Sequence, residues 1–239
     1  MSVGIIVGAG GGIGSACARA LDSSADVVVL AGRSEPRLRA IASTLAGKTA
    51  TIVADVATDD GREAIARAAG DAGEIAWLVL ASGVPLRGPL TQLAPADIEA
   101  TLLTNLIGPV LLIRRLLDGP WETNATIIAV GSISATRALP NRSVYSASKA
   151  GLEHFCRSLA SEVAPRGIRV NVVSPGVIDT PFLGSDQSRL QAWVSTHVPQ
   201  ARIGSPGDVA EVVRYLTQEA PAYVTGARIA VDGGAETVS

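Results

Sequence analysis

The sequence predicts a single α/β domain in which parallel strands alternate with helices. Three observations carry that prediction. Short apolar runs rich in Val and Ile recur between longer, alanine-rich stretches with helical spacing, the alternation that crossover helices impose on a parallel sheet. A glycine turn, Gly8-Ala9-Gly10-Gly11-Gly12-Ile13-Gly14, stands directly between the first such run and the first helical stretch. The length of 239 residues is near the upper size for one hydrophobic core, so residues 1–239 are read as one domain. Apolar residues make up 47% and charged residues 18%, so much of the chain is interior or lies in subunit contacts. With 20 basic and 22 acidic side chains the net charge is −2, which gives no electrostatic case for nucleic acid or an anionic membrane.

In chain order, Val3 to Val7 is the first strand, and the helix after the glycine turn runs to about Leu21. Glycines let the backbone turn tightly and approach a pyrophosphate, whose charge meets the free N–H groups opening a helix. Asp26 to Ala31 is the second strand, with Gly32 and Arg33 at its tip. A carboxylate there would accept from the ribose hydroxyls of NAD, whereas a guanidinium would pair with a ribose 2′-phosphate. Arg33 therefore favours NADP(H) over NAD(H), with a solvated loop arginine as the other reading. Leu38 to Leu45 is helical. Thr51 to Ala54 is the third strand, ending at Asp55-Val56, where Asp55 also suits an ordinary helix cap. A short helix follows from Gly61 to Ala69, and Ile75 to Leu80 is the fourth strand.

Pro95-Ala96-Asp97 opens a helix that runs through Asn105 to Leu117. Asn105 lies among Leu102, Leu103 and Leu106, where a buried amide must be satisfied. Ile127 to Val130 is the fifth strand, followed by turn and cap formers, as when a parallel strand delivers polar groups at its carboxyl end. If the next helix begins near Val144, Tyr145 and Lys149 are four residues apart and share one face. A phenol of reference pKa about 10 is a poor acid–base group near neutrality unless an ammonium stabilises the phenolate. Lys149 is spaced to do that. This helix stops around Pro165-Arg166-Gly167, and Ile168 to Val173 leads into Ser174-Pro175-Gly176-Val177-Ile178-Asp179-Thr180. The weakly patterned, polar segment at about 183–203 is taken as a cap over the substrate. A last helix through Leu216 and a strand from Ile229 close the chain.

Tyr145-Ser146-Ala147-Ser148-Lys149 resembles the Tyr-x-x-x-Lys signature of the short-chain dehydrogenase/reductase family, and Ser132, thirteen residues earlier, sits where that family keeps its serine. Gly8, Gly12 and Gly14 resemble its Gly-x-x-x-Gly-x-Gly turn, within which Gly11 and Ile13 also fall, although Val7 replaces the usual threonine. By the same resemblance Asp55 meets the adenine amino group and Val56 packs by its ring. Asn105 matches the asparagine that holds a water beside the lysine. Val177 and Ile178 lie near the nicotinamide after the Pro175-Gly176 turn, and Thr180 contacts the carboxamide or phosphates. Relatives usually read Asn-Asn-Ala-Gly where this chain has Leu80, Ala81, Ser82 and Gly83, so two amides that tie neighbouring strands are missing. The resemblance runs from Gly8 to Gly234 and implies a doubly wound Rossmann fold, a seven-stranded parallel sheet of order 3-2-1-4-5-6-7 with helices on both faces.

What the resemblance implies is an oxidoreductase in which hydride passes between NADPH and a carbonyl carbon, with NAD(H) possible. Tyr145 gives the proton, Ser132 hydrogen-bonds the carbonyl oxygen, Lys149 lowers the tyrosine pKa and holds the ribose, and Asn105 with a water refills the proton. Ile133, Ser134, Leu139, Val177, Phe182 and Trp193 are the expected pocket linings. They are mostly apolar, and no cluster of basic residues suggests an anionic handle, which favours a largely apolar ketone or secondary alcohol. A 3-oxoacyl thioester reductase, or an NADP(H)-binding regulatory or scaffold protein without turnover, are the competing readings. The apolar fraction together with the family's habit suggests a homotetramer. Cys17 and Cys156 read as buried thiols, neither histidine has metal-ligand neighbours, and no metal is expected. Without a basic amino-terminal region or an uninterrupted apolar run of 18 residues, the expectation is a soluble, cytoplasmic protein with no membrane partner.

Overall fold

The computed structural model describes residues 1–183 and 187–238, with backbone alone for 187–189. Seven parallel strands, β1 (Ser2–Val7), β2 (Val27–Gly32), β3 (Thr49–Val53), β4 (Glu74–Leu80), β5 (Trp121–Val130), β6 (Arg169–Pro175) and β7 (Arg228–Val231), form one sheet in the order β3-β2-β1-β4-β5-β6-β7. That is the order the resemblance implied. Helices cover both faces, as a sheet buried on two sides requires. On one face α3 (Asp59–Ala72), α5 (Gly108–Leu116) and α6 (Ser143–Val163) pack Ile65, Leu112, Ile113, Leu152 and Leu159 against the strands. On the other, α1 (Gly12–Ala20), α2 (Glu35–Ala42) and α8 (Pro206–Gln218) contribute Cys17, Leu38, Ile41, Val209 and Val213. Strand order reverses between β1 and β4, and the crevice outside the carboxyl ends of those strands is where open α/β sheets bind ligands.

Local chemistry explains the element ends. Thr58 caps α3 by accepting from the Gly61 N–H at 3.1 Å, and Ser205 with Asp208 forms a reciprocal capping box at α8, with Pro206 in its first turn. Gly4 has no side chain because Trp77 crosses β1 there: a Cβ would stand 1.9 Å from the indole. At α1 the N-cap Gly11 offers no side-chain bond, so the first-turn N–H groups stay available at the crevice.

Two helical regions depart from expectation. The predicted helix through Asn105 is α4 (Pro95–Leu102) and α5 joined by a π turn, Leu103–Ile107, and such turns occur mostly at functional positions. The joined helix, Pro95–Leu116, is 22 residues long and apolar enough by length and composition to cross a membrane, because both of its sides are apolar. Leu112, Ile113 and Leu116 face the core, while Leu103, Ile107 and Leu111 are exposed. Asp97, Glu99 and Asn105 interrupt its apolar run, so it is not one of 18 uninterrupted apolar residues. The segment read as an unpatterned cap contains a helix, α7 (Gln187–His197). Its Val194, and Val198 just beyond its end, pack with Ile133 and Ala235 in a separate small cluster. Residues 184–186 of the cap assignment lie outside the described residues.

Candidate active site

The glycine turn is built as its spacing required. Gly8 has φ +85°, a conformation open to glycine at little cost. A Cβ on Gly14 would stand 2.2 Å from the Gly8 carbonyl oxygen, and one on Gly12 would stand 2.5 Å from the Thr180 methyl. The turn therefore closes on itself and on the segment after β6. Gly176 is held equally tightly, its N–H donating to the Val231 carbonyl at 3.0 Å and its missing Cβ directed at Asp232.

The glycine turn borders one cavity of about 530 Å³, which runs from Gly10, Arg33 and Asp55 past Ser82 to Ser132, Tyr145 and Lys149, with Gly14 packed behind the wall against the Gly8 carbonyl. Gly8, Gly11, Gly12, Ile13, Val56, Ala81, Gly83, Pro175, Gly176, Ile178 and Thr180 share its wall. Val177, expected near the nicotinamide, instead packs against the Ile133 cluster. A dinucleotide fits what is present. The glycine cradle is one a Cβ would fill, the N–H groups of α1 face it, and the Ser82 hydroxyl is buried along it with no protein partner. Arg33 is 66% exposed and 4.0 Å from the Asp55 carboxylate, a loose surface pair that leaves its guanidinium available. Ser34 and Arg37, which the sequence reading did not single out, line the same end. The Asp55 carboxylate accepts from the Ala57 N–H at 2.9 Å, which forms a local turn, while the cap of the next helix is Thr58 and not Asp55.

At the other end Tyr145 and Lys149 rise from the first turns of α6, 6% and 3% exposed. Burial pushes the Tyr145 phenol up from its ordinary value, opposed by a hydrogen bond with Ser132 and by the Arg142 and Arg87 guanidinium groups. Lys149, expected to lower it, is not among those groups; its ammonium donates to the Val130 carbonyl at 2.8 Å. Burial holds Lys149 itself down to about 8, with Glu153 acting in the opposite sense. Asn105, fully buried in the π turn, accepts from the Val84 N–H at 2.8 Å and donates to the Val84 carbonyl at 3.0 Å and to Ser148 Oγ at 3.1 Å. Its amide thus ties the helix to the chain after β4 and to α6. Around the missing amides, Leu80 is core and the Ala81 N–H bonds to the Val7 carbonyl at 2.8 Å. Asn105 and Lys149 still converge: Oδ1 and Nζ both lie 3.5 Å from the Cβ position of Gly83.

The substrate side was the least accurately read. Phe182 lines the cavity, with its ring 5.8 Å from that of Tyr145. Ile133 is core to the small cluster under α7, because the 3₁₀ turn after Ser132 directs it downward. Ser134 is buried in that turn, its N–H donating to Ser132 Oγ at 3.1 Å. Trp193 stacks on His197 at 4.6 Å and carries the Arg137 guanidinium at 5.8 Å. Leu139 is half-buried and not on the cavity wall. The expectation that no cluster of basic residues offers an anionic handle is also corrected. Arg142 lies 5.8 Å from the Tyr145 ring centroid, and the Gly88 N–H donates to the Asn141 carbonyl at 2.9 Å, which brings the chain beside Arg87 to the same corner.

A doubly wound sheet with a glycine cradle at its switch point and a buried Ser–Tyr–Lys group at the far end of the same crevice defines a dinucleotide-dependent oxidoreductase architecture. Comparison with known proteins gives the family. The profile described as Enoyl-(Acyl carrier protein) reductase matches residues 8–236. The chain is 35% identical to the 3-oxoacyl-[acyl-carrier-protein] reductase of Bos taurus, over 96% of this chain and 95% of that one. It is 34% identical to carbonyl reductase family member 4 of Danio rerio, over 96% of each. The crystal structure of a 3-oxoacyl-[acyl-carrier protein] reductase from Brucella melitensis in complex with NAD superposes with a TM-score of 0.92 at 29% identity, covering 100% of this chain and 98% of that one. The chain belongs to the short-chain dehydrogenase/reductase family and is an NAD(P)-dependent oxidoreductase acting on small carbonyl or alcohol substrates.

Proposed function

We propose that this protein reduces a ketone with NADPH, with Tyr145 as the general acid. The observation that carries the reading is the convergence of Tyr145, Ser132 and Lys149 on one wall of the cavity whose other end is the glycine cradle. When bound, the nicotinamide dinucleotide supplies or takes the hydride. The chain's own groups do the rest. Tyr145, kept protonated near neutral pH by its burial, donates to the carbonyl oxygen, and Ser132 hydrogen-bonds the same oxygen as charge develops on it. Lys149 holds the ribose hydroxyls, and Asn105 fixes the helix from which a water relay refills the proton. Gly8, Gly11, Gly12, Ile13 and Gly14 hold the pyrophosphate end, and Arg33, with Ser34 and Arg37 beside it, favours a 2′-phosphate where Gly32 leaves no carboxylate. Segment 183–203, with α7, closes over the substrate. The exposed Leu103, Ile107 and Leu111 stripe supports assembly of copies into a tetramer through the α4–α5 helices.

Phe182 and Leu183 give the substrate end an apolar wall and favour a largely apolar ketone. A second reading, a 3-oxoacyl thioester with an anionic carrier, is favoured by the Arg142 and Arg87 pair at the tyrosine. The test is turnover of NADPH and NADH against apolar ketones, a neutral 3-oxoacyl thioester and an anionic one. A ketone preference with NADPH supports the first reading. Preference for the anionic thioester, lost in Arg142→Gln, supports the second, and an NADH preference contradicts the cofactor assignment.

A further inference from the structure

Glu153 lies one turn beyond Lys149 on α6 and is 7% exposed, although nothing in the reaction above uses it. Its two oxygens are fully engaged. Oε1 accepts from the Ser132 N–H at 3.1 Å and from Ser174 Oγ at 2.6 Å. Oε2 accepts from Arg228 Nε at 2.9 Å. Gly131 makes room for this carboxylate, since a Cβ there would stand 2.3 Å from Oε1. The same guanidinium then turns to Glu236, with Nη1 and Nη2 donating to its two oxygens at 2.8 and 2.6 Å. Glu236 in turn bonds Thr136, and Arg137 Nη1 donates to the Ala235 carbonyl at 2.5 Å, so the turn 235–237 is fastened to the loop that follows Ser132.

We propose that Glu153 is a positioning residue for Ser132, and that Arg228, itself gripped by Glu236 on the carboxyl-terminal turn, holds the Glu153 carboxylate in place for that task. A carboxylate accepts a backbone N–H about twice as strongly as a neutral acceptor does, and this bond fixes the residue whose hydroxyl serves the carbonyl oxygen. Without the guanidinium, Oε2 loses its partner and the buried carboxylate is no longer anchored against Ser132. The charged or titratable groups around it are Arg228, Lys149, Tyr145 and Cys156, with Glu236 behind Arg228. The negative charge favours the protonated forms of both Lys149 and Tyr145, so removing it moves both titrations to lower pH. The inference rests on the proposed roles of Tyr145 and Ser132.

The experiment measures kcat across pH, cofactor binding and thermal stability for Glu153→Gln, Arg228→Met and Arg228→Lys, with Tyr145→Phe alongside. The expected result is a fall in kcat of roughly 10- to 100-fold in Glu153→Gln and Arg228→Met, the cost of a misplaced catalytic group. Cofactor affinity stays within about threefold, the Glu153→Gln profile moves to lower pH, and Arg228→Lys recovers most of the rate, since it keeps the charge beside Glu153. Wild-type kcat and pH profile in Glu153→Gln, or changes confined to thermal stability, would overturn the positioning role. Loss of rate in Arg228→Lys equal to that in Arg228→Met would overturn the part assigned to charge. Wild-type turnover in Tyr145→Phe would instead remove the reading beneath it.

Discussion

The two ends of the crevice were written into the sequence in different ways. At the cofactor end, backbone does the work: Gly8, Gly12, Gly14 and Gly176 stand where any Cβ would strike a carbonyl, a methyl or a neighbouring chain. At the substrate end, side chains from distant segments do it: Ser132, Phe182, Arg142 and α7 meet only through tertiary packing. A steric requirement for glycine leaves a local pattern, while a wall assembled from loops leaves none.

That contrast predicts unequal responses to substitution. The largest effect is expected from Gly14→Val, because the clash is with backbone that cannot step aside. Overpacking of this kind costs about 1–3 kcal/mol or more, so a thermal melt together with cofactor titration should show lost stability and binding. Phe182→Ala, by contrast, should lower kcat/KM for the ketone about 10-fold, the scale of a lost apolar pocket contact, and leave cofactor binding unchanged. If Phe182→Ala weakened cofactor binding as much as Gly14→Val does, the division into two ends would fail.

The pH dependence sharpens the same division. Burial raises the Tyr145 pKa, so the phenol stays protonated at neutral pH and falls to phenolate only as pH rises. Reduction, which uses the acid, should therefore hold its rate through neutrality and decline in alkali, while alcohol oxidation, which uses the base, should climb over the same range. Rates measured in both directions across pH check this. The smallest effect is expected far from the crevice. Ser205→Ala removes one half of the α8 capping box and should cost about 1 kcal/mol of stability with turnover untouched.

How much was legible follows from the physics of each residue. The strands, the cradle and the Tyr145–Lys149 spacing were readable because strand runs, glycine turns and a four-residue helical step are local, whereas the strand order, which is not local, came only with the family resemblance. Asn105 was found by its apolar neighbours, yet its partners, Val84 and Ser148, belong to other segments and could not be. Ile133 was misplaced because a 3₁₀ turn reverses the side-chain direction after Ser132. Glu153 was not singled out, because its partners, Ser174 on β6 and the Arg228 side chain reaching over from β7, belong to distant segments. Its one sequence signal was the same four-residue step that links Tyr145 to Lys149, repeated once more along the helix. Arg37 gave less: a charged residue early in an exposed helix reads as surface, and here it borders Gly10.

The central claim is that Tyr145 moves the proton while a separate set of residues holds the cofactor. The most direct measurement compares wild type and Tyr145→Phe in the same preparation, following NADPH oxidation with a turned-over ketone and NADPH binding by fluorescence. The account predicts a rate lower by about 10²–10⁴-fold, the usual range for a lost general acid, with the dissociation constant for NADPH essentially unchanged. Turnover close to wild type would contradict it, and so would a rate loss fully matched by loss of NADPH binding.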